Sequence, residues 1–260
     1  MKPRARGLSL AVLPGTRNRI RLQPKVVACW AVGDGVFGFG HKFVGADARE
    51  DFVRFGRIRA NHPHASIALF GHTDAVGSEA YNHQLGYERA LAVFAVLRHD
   101  PDLWYELFRN DREGLALLKE ELARRGPTIH DPAGSFGPST LEAVREHLRR
   151  IGPDEPLQIA DFLSAGQAAL QSCSEFNPVL VPAPWMFDLL RDDQDIALQT
   201  VNRRVVALFF DPATVTNLRW PCPPAGEGPR PLQGAVLERR LDRRRTARAG
   251  VAVVAASLRW

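Results

Sequence analysis

Ser66–Phe70 (SIALF) is a short apolar run with a β-branched residue, closed off by Pro63 on one side and Gly71 on the other. That length and composition predict a buried strand. After the intervening polar stretch, Gly77–Leu97 reads as a helix, with Leu85, Val93 and Val96 near one face and Ala90, Phe94 and Leu97 adjacent to it. A strand ending at Gly71 delivers His72, Thr73 and Asp74 to a loop at the C-terminal edge of a sheet. Any fold for this chain has to accommodate that strand–loop–helix unit.

The remaining elements are read around it. Residues 26–44 are rich in Val, Phe and Trp with interleaved glycines and suggest one or two strands. Residues 46–60 place Phe52, Phe55 and Ile58 at spacings of three, the period of an amphipathic helix. Beyond the break at His99–Pro101, a helical stretch over 102–125 is expected, then the Gly- and Pro-rich loop GPTIHDPAGSFGPST, a helix over 139–150 and a short helix near 157–170. Residues 173–186 (CSEFNPVLVPAPWM) look extended, yet Pro178, Pro182 and Pro184 bar a central strand throughout. Val201–Phe210 (VNRRVVALFF) carries the clearest strand pattern. After Trp220 the composition turns to Pro, Gly and Arg with little apolar periodicity, and a disordered tail is expected there.

Charge bears on the partner. The chain has a formal net charge of +5, but residues 1–25 hold seven basic side chains and no acid, and residues 230–260 hold eight arginines against Glu238 and Asp242. Removing those +7 and +6 ends leaves the body at −8. A nucleic-acid-binding face belongs on the fold itself, so nucleic acid is not an expected partner. No stretch approaches the apolar length of a membrane-spanning helix. The apolar run Leu8–Leu13 is cut short by Pro14, and no signal peptide is expected. Three cysteines, Cys29, Cys173 and Cys222, are too few for a disulfide framework and lack zinc spacing; one disulfide and three reduced thiols both remain open.

The chemistry concentrates at the loop and the helix that follows it. Asn82 and Arg89 are seven residues apart and project from one helix face, about 20° short of two full turns. Arg89 supplies a planar fork for a carboxylate and Asp74 an acceptor for an ammonium. Together they suit a zwitterionic, amino-acid-like ligand, each charge-assisted bond contributing roughly 1.5–3 kcal/mol. An Asp–Arg ion pair that merely ties loop to helix satisfies the same residues. Both readings stand on the residues alone.

The stretch GHTDAVGSEAYNHQLGYERALAV resembles the signature of the OmpA-like C-terminal domain, and VNRRVVALFF is similar to that family's closing strand. The resemblance implies an α/β (α+β) sandwich, a β-α-β-α-β mixed sheet with helices on one face. It also implies non-covalent, non-catalytic binding of the diaminopimelate side chain of peptidoglycan. Asp74 and Arg89 match the ligand-holding aspartate and arginine in type and spacing, Asn82 the motif asparagine, and Arg203 the first arginine of NRR, which borders the site. Thr73 and Gly77 would shape the loop. Two departures stand out. Gly86 replaces the usual serine and should weaken the helix by roughly 1 kcal/mol, and some hundred residues separate Leu97 from Asn202 where the family has a few dozen.

Within that insertion, LALLKEELARRG followed by GSFGPSTLEAVREHLRRIG resembles a small helical peptidoglycan-binding domain, through Gly134, Phe136, Gly137, Thr140, Ala143 and Val144. Phe136 and Val144 would be core, and Thr140 or Ser139 would cap the second helix. The expected organisation is a basic segment 1–25, an OmpA-like domain from 26–98 and 173–222, a helical insertion 99–172, and an Arg-rich tail 223–260. An alternative function is a structural scaffold of an envelope or secretion assembly, for which Trp104, Tyr105 and Phe108 offer a partner surface, although a helix-face core is the favoured role for these three. A cell-wall hydrolase is less favoured: Cys173 has no motif around it, and His72, Asp74 and His83 lack metal-site spacing. No catalytic residue, metal or cofactor is expected. The resemblance places the protein in the cell envelope or periplasm.

Overall fold

A computed structural model describes residues 24–33, 36–37, 40–74, 77–164, 169–175, 178 and 199–215. The expected basic segment up to residue 23, the tail from 223 onward, Cys222 and residues 179–186 lie outside them.

Four strands form one mixed sheet: β1 (Val26–Val32), β2 (Ser66–His72), β3 (Leu170–Ser174) and β4 (Val205–Phe210), in the spatial order β1-β4-β2-β3. β4 runs antiparallel to both β1 and β2, while β2 and β3 are parallel. Alternation along the strands sorts the two faces. Ile67 and Leu69 of β2 join Val205, Ala207 and Phe209 of β4 in the main core, whereas Ala68, Phe70, Leu208 and Phe210 belong to a smaller cluster with Cys173, Leu163 and Val215.

The helices α1 (Arg49–Asn61), α2 (Glu79–Arg98), α3 (Pro101–Phe108), α4 (Arg112–Arg125) and α5 (Pro138–Ile151) all contribute to the main core. The fold is the expected α+β arrangement with helices on one face. In α1 the three-residue spacing works as read: Phe52 and Phe55 are fully buried and hold Trp30 of β1 between them, at ring distances of 5.3 and 5.1 Å. α2 lies across β2 and β3. Among the described residues no helix is long and apolar enough to cross a membrane.

Three expectations are corrected. The 102–125 stretch is two helices, because the Asp111 side chain accepts the Gly114 N–H at 2.9 Å and starts α4 afresh. Among the described residues of the expected helix near 157–170, Ile159–Asp161 form a 3-10 turn, and Phe162 and Leu163 leave it in extended form. Phe162 and Leu163 explain this: they are consecutive, yet one packs in the main core and the other in the opposite cluster. That is a strand's alternation, and Leu163 donates its N–H to the Ile67 carbonyl at 2.9 Å. Neither Thr140 nor Ser139 caps α5. Asp131 accepts the Thr140 N–H at 2.6 Å, and the Ser139 hydroxyl instead accepts the His130 and Asp131 N–H groups of the loop.

The insertion helices are built into the core. Val144, Trp104 and Phe108 are fully buried, so of the aromatic trio only Tyr105 is exposed, and half-buried Phe136 meets it edge-on. His147 of α5 faces the Val44 carbonyl through Nε2 at 2.9 Å and Arg150 through Nδ1 at 3.3 Å. A neutral ring satisfies both, with Nε2–H donating and Nδ1 accepting. Burial, reinforced by Arg150, pushes the His147 pKa below its ordinary 6.5, and burial likewise lowers His41 and His99. A histidine with a depressed folded pKa stabilises the fold above the unfolded value and loses that contribution as pH falls from about 6.5 through the folded pKa. Thermal melting between pH 7.5 and 5.5 should therefore show a falling Tm, with a shallower fall in His147→Gln. An identical slope in that variant would remove His147 from the account.

Candidate functional site

The site sits at the C-terminal end of β2, where His72 is the last strand residue and its N–H bonds the Arg204 carbonyl at 2.8 Å. The Thr73 N–H then bonds the Ser174 carbonyl at 2.8 Å, so the loop leaves the sheet between β4 and β3. Gly77 adopts a left-handed φ of 108°, a conformation a side chain would strain, and Ser78 caps α2 by accepting the Tyr81 N–H. These devices set Asp74 opposite the first turns of α2.

Asp74, Asn82, Arg89, Thr73 and Arg203 are all buried together. The carboxylate of Asp74 is bonded by Arg203 Nη1 at 3.0 Å, and its backbone carbonyl by Asn82 Nδ2 at 3.3 Å. Arg89 is fully buried and two of its nitrogens bond backbone: Nε donates to the His41 carbonyl at 2.9 Å and Nη1 to the His72 carbonyl at 3.0 Å. Its guanidinium also lies 5.3 Å from the Phe37 ring centroid. Burial lowers the Arg89 pKa to about 10 despite the nearby Asp74, with Arg203 acting in the same direction as burial. An arginine with that value is still fully cationic at neutral pH.

The structure thus assembles the six residues named from the motif around one loop. It differs from the sequence expectation in pairing. The Asp74 carboxylate is ion-paired with Arg203, from β4's end of the sheet, while Arg89 clamps the 41–43 segment and the end of β2 onto the helix. Asn82 Oδ1 and Thr73 Oγ1 are buried without a hydrogen-bond partner among the described residues. Buried oxygens of this kind are normally satisfied.

Sequence reading missed Glu175, which follows β3 beside Thr73. It is buried, takes the Ser174 hydroxyl on Oε2, and leaves Oε1 without a partner. A lone acid between strand-like residues was its only signal. Among the described residues, no group of three or more His, Cys, Asp and Glu side chains gathers as a metal site.

Residues 36–100 match the OmpA family. The match spans β2, the loop and α2 entire, and ends before α3. No curated protein sequence matches the chain. Among solved structures, the peptidoglycan-associated lipoprotein from Burkholderia pseudomallei aligns at 17% identity and a TM-score of 0.33, covering 70% of this chain and 90% of that one. Asp74, Asn82 and Arg89 all fall inside the OmpA-like segment, whereas Arg203, which holds the Asp74 carboxylate, comes from outside it.

Proposed function

We propose that the protein binds peptidoglycan non-covalently and without catalysis, through a diaminopimelate-type stem peptide held at the Asp74 loop, and that it works in the cell envelope. The OmpA-family match supports peptidoglycan binding in general. The observation that carries the finer reading is the buried cluster itself. The buried guanidinium groups of Arg89 and Arg203 suit a carboxylate, while Asp74 with the unpartnered Asn82 Oδ1 and Thr73 Oγ1 suits an ammonium. A ligand carrying both charges on one short side chain matches both kinds of group. In this reading the ligand carboxylate reaches Arg89 by replacing the His41 carbonyl on Nε.

A scaffold role within an envelope or secretion assembly is the second reading, favoured by the complete burial of Arg89 and its bonds to two backbone carbonyls. Sedimentation with insoluble diaminopimelate-type peptidoglycan separates the two. Asp74→Asn keeps the side-chain shape and removes the charge, so its fold can be checked by circular dichroism beside the binding measurement. Wild type should pellet with the wall, free diaminopimelate should release it, and folded Asp74→Asn should bind at least tenfold more weakly. Equal pelleting of a folded Asp74→Asn would defeat the reading, and wild type that stays in solution would favour the scaffold.

A further inference from the structure

A cavity lies beside the first turn of α2, and part of its wall is built by the insertion. It has a volume of about 320 Å³, and its lining includes His41, Lys42, Tyr81, Asp111, Glu113 and Leu117. Residues from 40–43 and Tyr81 belong to the OmpA-like segment, but Asp111, Glu113 and Leu117 come from the start of α4, beyond the family match. Two lining residues, His41 and Tyr81, also neighbour the Asp74 site. The His41 carbonyl is the group bonded by Arg89, and a Cβ placed on Gly77 would meet both Tyr81 (3.2 Å) and Asn82 Oδ1 (3.5 Å).

The lining chemistry narrows the occupant. Lys42 forms the floor, its ammonium held by Asp111 at 2.9 Å and Glu88 at 3.4 Å and lying 5.2 Å from the Phe108 ring centroid. The other Asp111 oxygen is taken by the Gly114 N–H at 2.9 Å. One ammonium stands among the carboxylates of Glu88, Asp111 and Glu113, so the field repels anions. The first two carboxylates are already engaged, which leaves an amine little to neutralise it beyond Glu113. What remains is a set of fixed donors and acceptors under two open apolar surfaces, the Tyr81 ring (52% exposed) and Leu117 (39% exposed). A cavity of this size with a few placed polar groups and an aromatic wall fits a small neutral ligand rich in hydroxyls.

We infer that this cavity is a glycan subsite, taking an N-acetylated hexosamine ring of the polymer whose stem peptide occupies the Asp74 loop. The inference rests on the peptidoglycan reading for the identity of the polymer. The sugar's C–H face lies on Tyr81, and its hydroxyls bond Glu113 and the remaining lone pairs of Asp111.

Calorimetric titration with two soluble probes tests it: a diaminopimelate-containing stem peptide, and the same peptide on its N-acetylated disaccharide. Wild type should bind the disaccharide peptide at least tenfold more tightly than the bare peptide. Glu113→Ala and Leu117→Arg, the second filling the cavity from an exposed position, should lose that gain while binding the bare peptide as wild type does. Equal affinity of wild type for both probes overturns the subsite and leaves the stem-peptide reading intact. A gain that survives in both variants also overturns it. Binding of the disaccharide peptide alone, lost in both variants, supports the subsite and rejects the stem-peptide site; no binding of either probe rejects both.

Discussion

Gly71→Ala should destabilise the protein by more than about 3 kcal/mol, beyond the usual range for overpacking a core. A Cβ at position 71 would fall inside the contact shell of the Gly86 carbonyl oxygen, 2.7 Å from its carbon, and would meet the Ala90 backbone nitrogen at 3.2 Å. The obstructing atoms are main chain in the middle of α2, so no rotamer change can relieve the clash. The helix must lift off β2, which also moves Asn82 and Arg89 away from the Asp74 loop. At 2–4 °C per kcal/mol for a chain of this size, the Tm should drop by roughly 10 °C, and wall binding should vanish with it. Gly86→Ala gains roughly 1 kcal/mol of helix propensity, yet its Cβ would meet Ser172 Oγ at 2.5 Å and the Gly71 oxygen at 2.9 Å. It should be net destabilising by less than Gly71→Ala, because the serine can turn aside, and adding Ser172→Ala should restore part of the loss. Thermal melts of the three variants check the order; a Gly71→Ala protein as stable as wild type would mean that helix and strand are not in this contact.

Gly86 also shows how far the sequence could be read. As a departure from the family serine it was legible only as a local weakness in a helix, since propensity is a property of one residue. Its reason is a crossing with Gly71, fifteen positions away, and that partner is set by how α2 lies on the sheet. The strand at Ser66–His72, the face shared by Asn82 and Arg89, and the buried pair Phe52 and Phe55 were readable because each depends on period alone. The stretch at 157–170 was not, because Phe162 and Leu163 look alike in sequence and go to opposite faces of the sheet. The candidate site divides the same way. Residue types and spacing brought Asp74, Asn82 and Arg89 to one loop and one helix face, but which cation takes the Asp74 carboxylate is decided by β4 beside β2, and the answer is Arg203. Glu175 depends on the parallel pairing of β3 with β2, which no local pattern announces.

Arg89→Ala should lower stability by about 3–5 kcal/mol, the range for breaking a buried charge cluster by removing one member. The truncation leaves the His41 and His72 carbonyls without their guanidinium donors, each an added penalty of about 1–3 kcal/mol if water cannot replace it, so the upper part of the range is expected. Arg89→Lys retains the charge, but one ammonium on a flexible stem cannot reproduce a planar fork bonding two carbonyls. Its urea midpoint should lie between those of Arg89→Ala and wild type. This ordering governs how any binding experiment on Arg89 is read: loss of wall binding in Arg89→Ala reports a loosened 41–43 segment as much as a missing ligand contact. Asp74→Asn avoids that confusion because the amide still accepts from Arg203. If instead Arg89→Ala melts like wild type while losing the wall, the two backbone bonds contribute nothing to folding, and Arg89 is kept for the ligand alone.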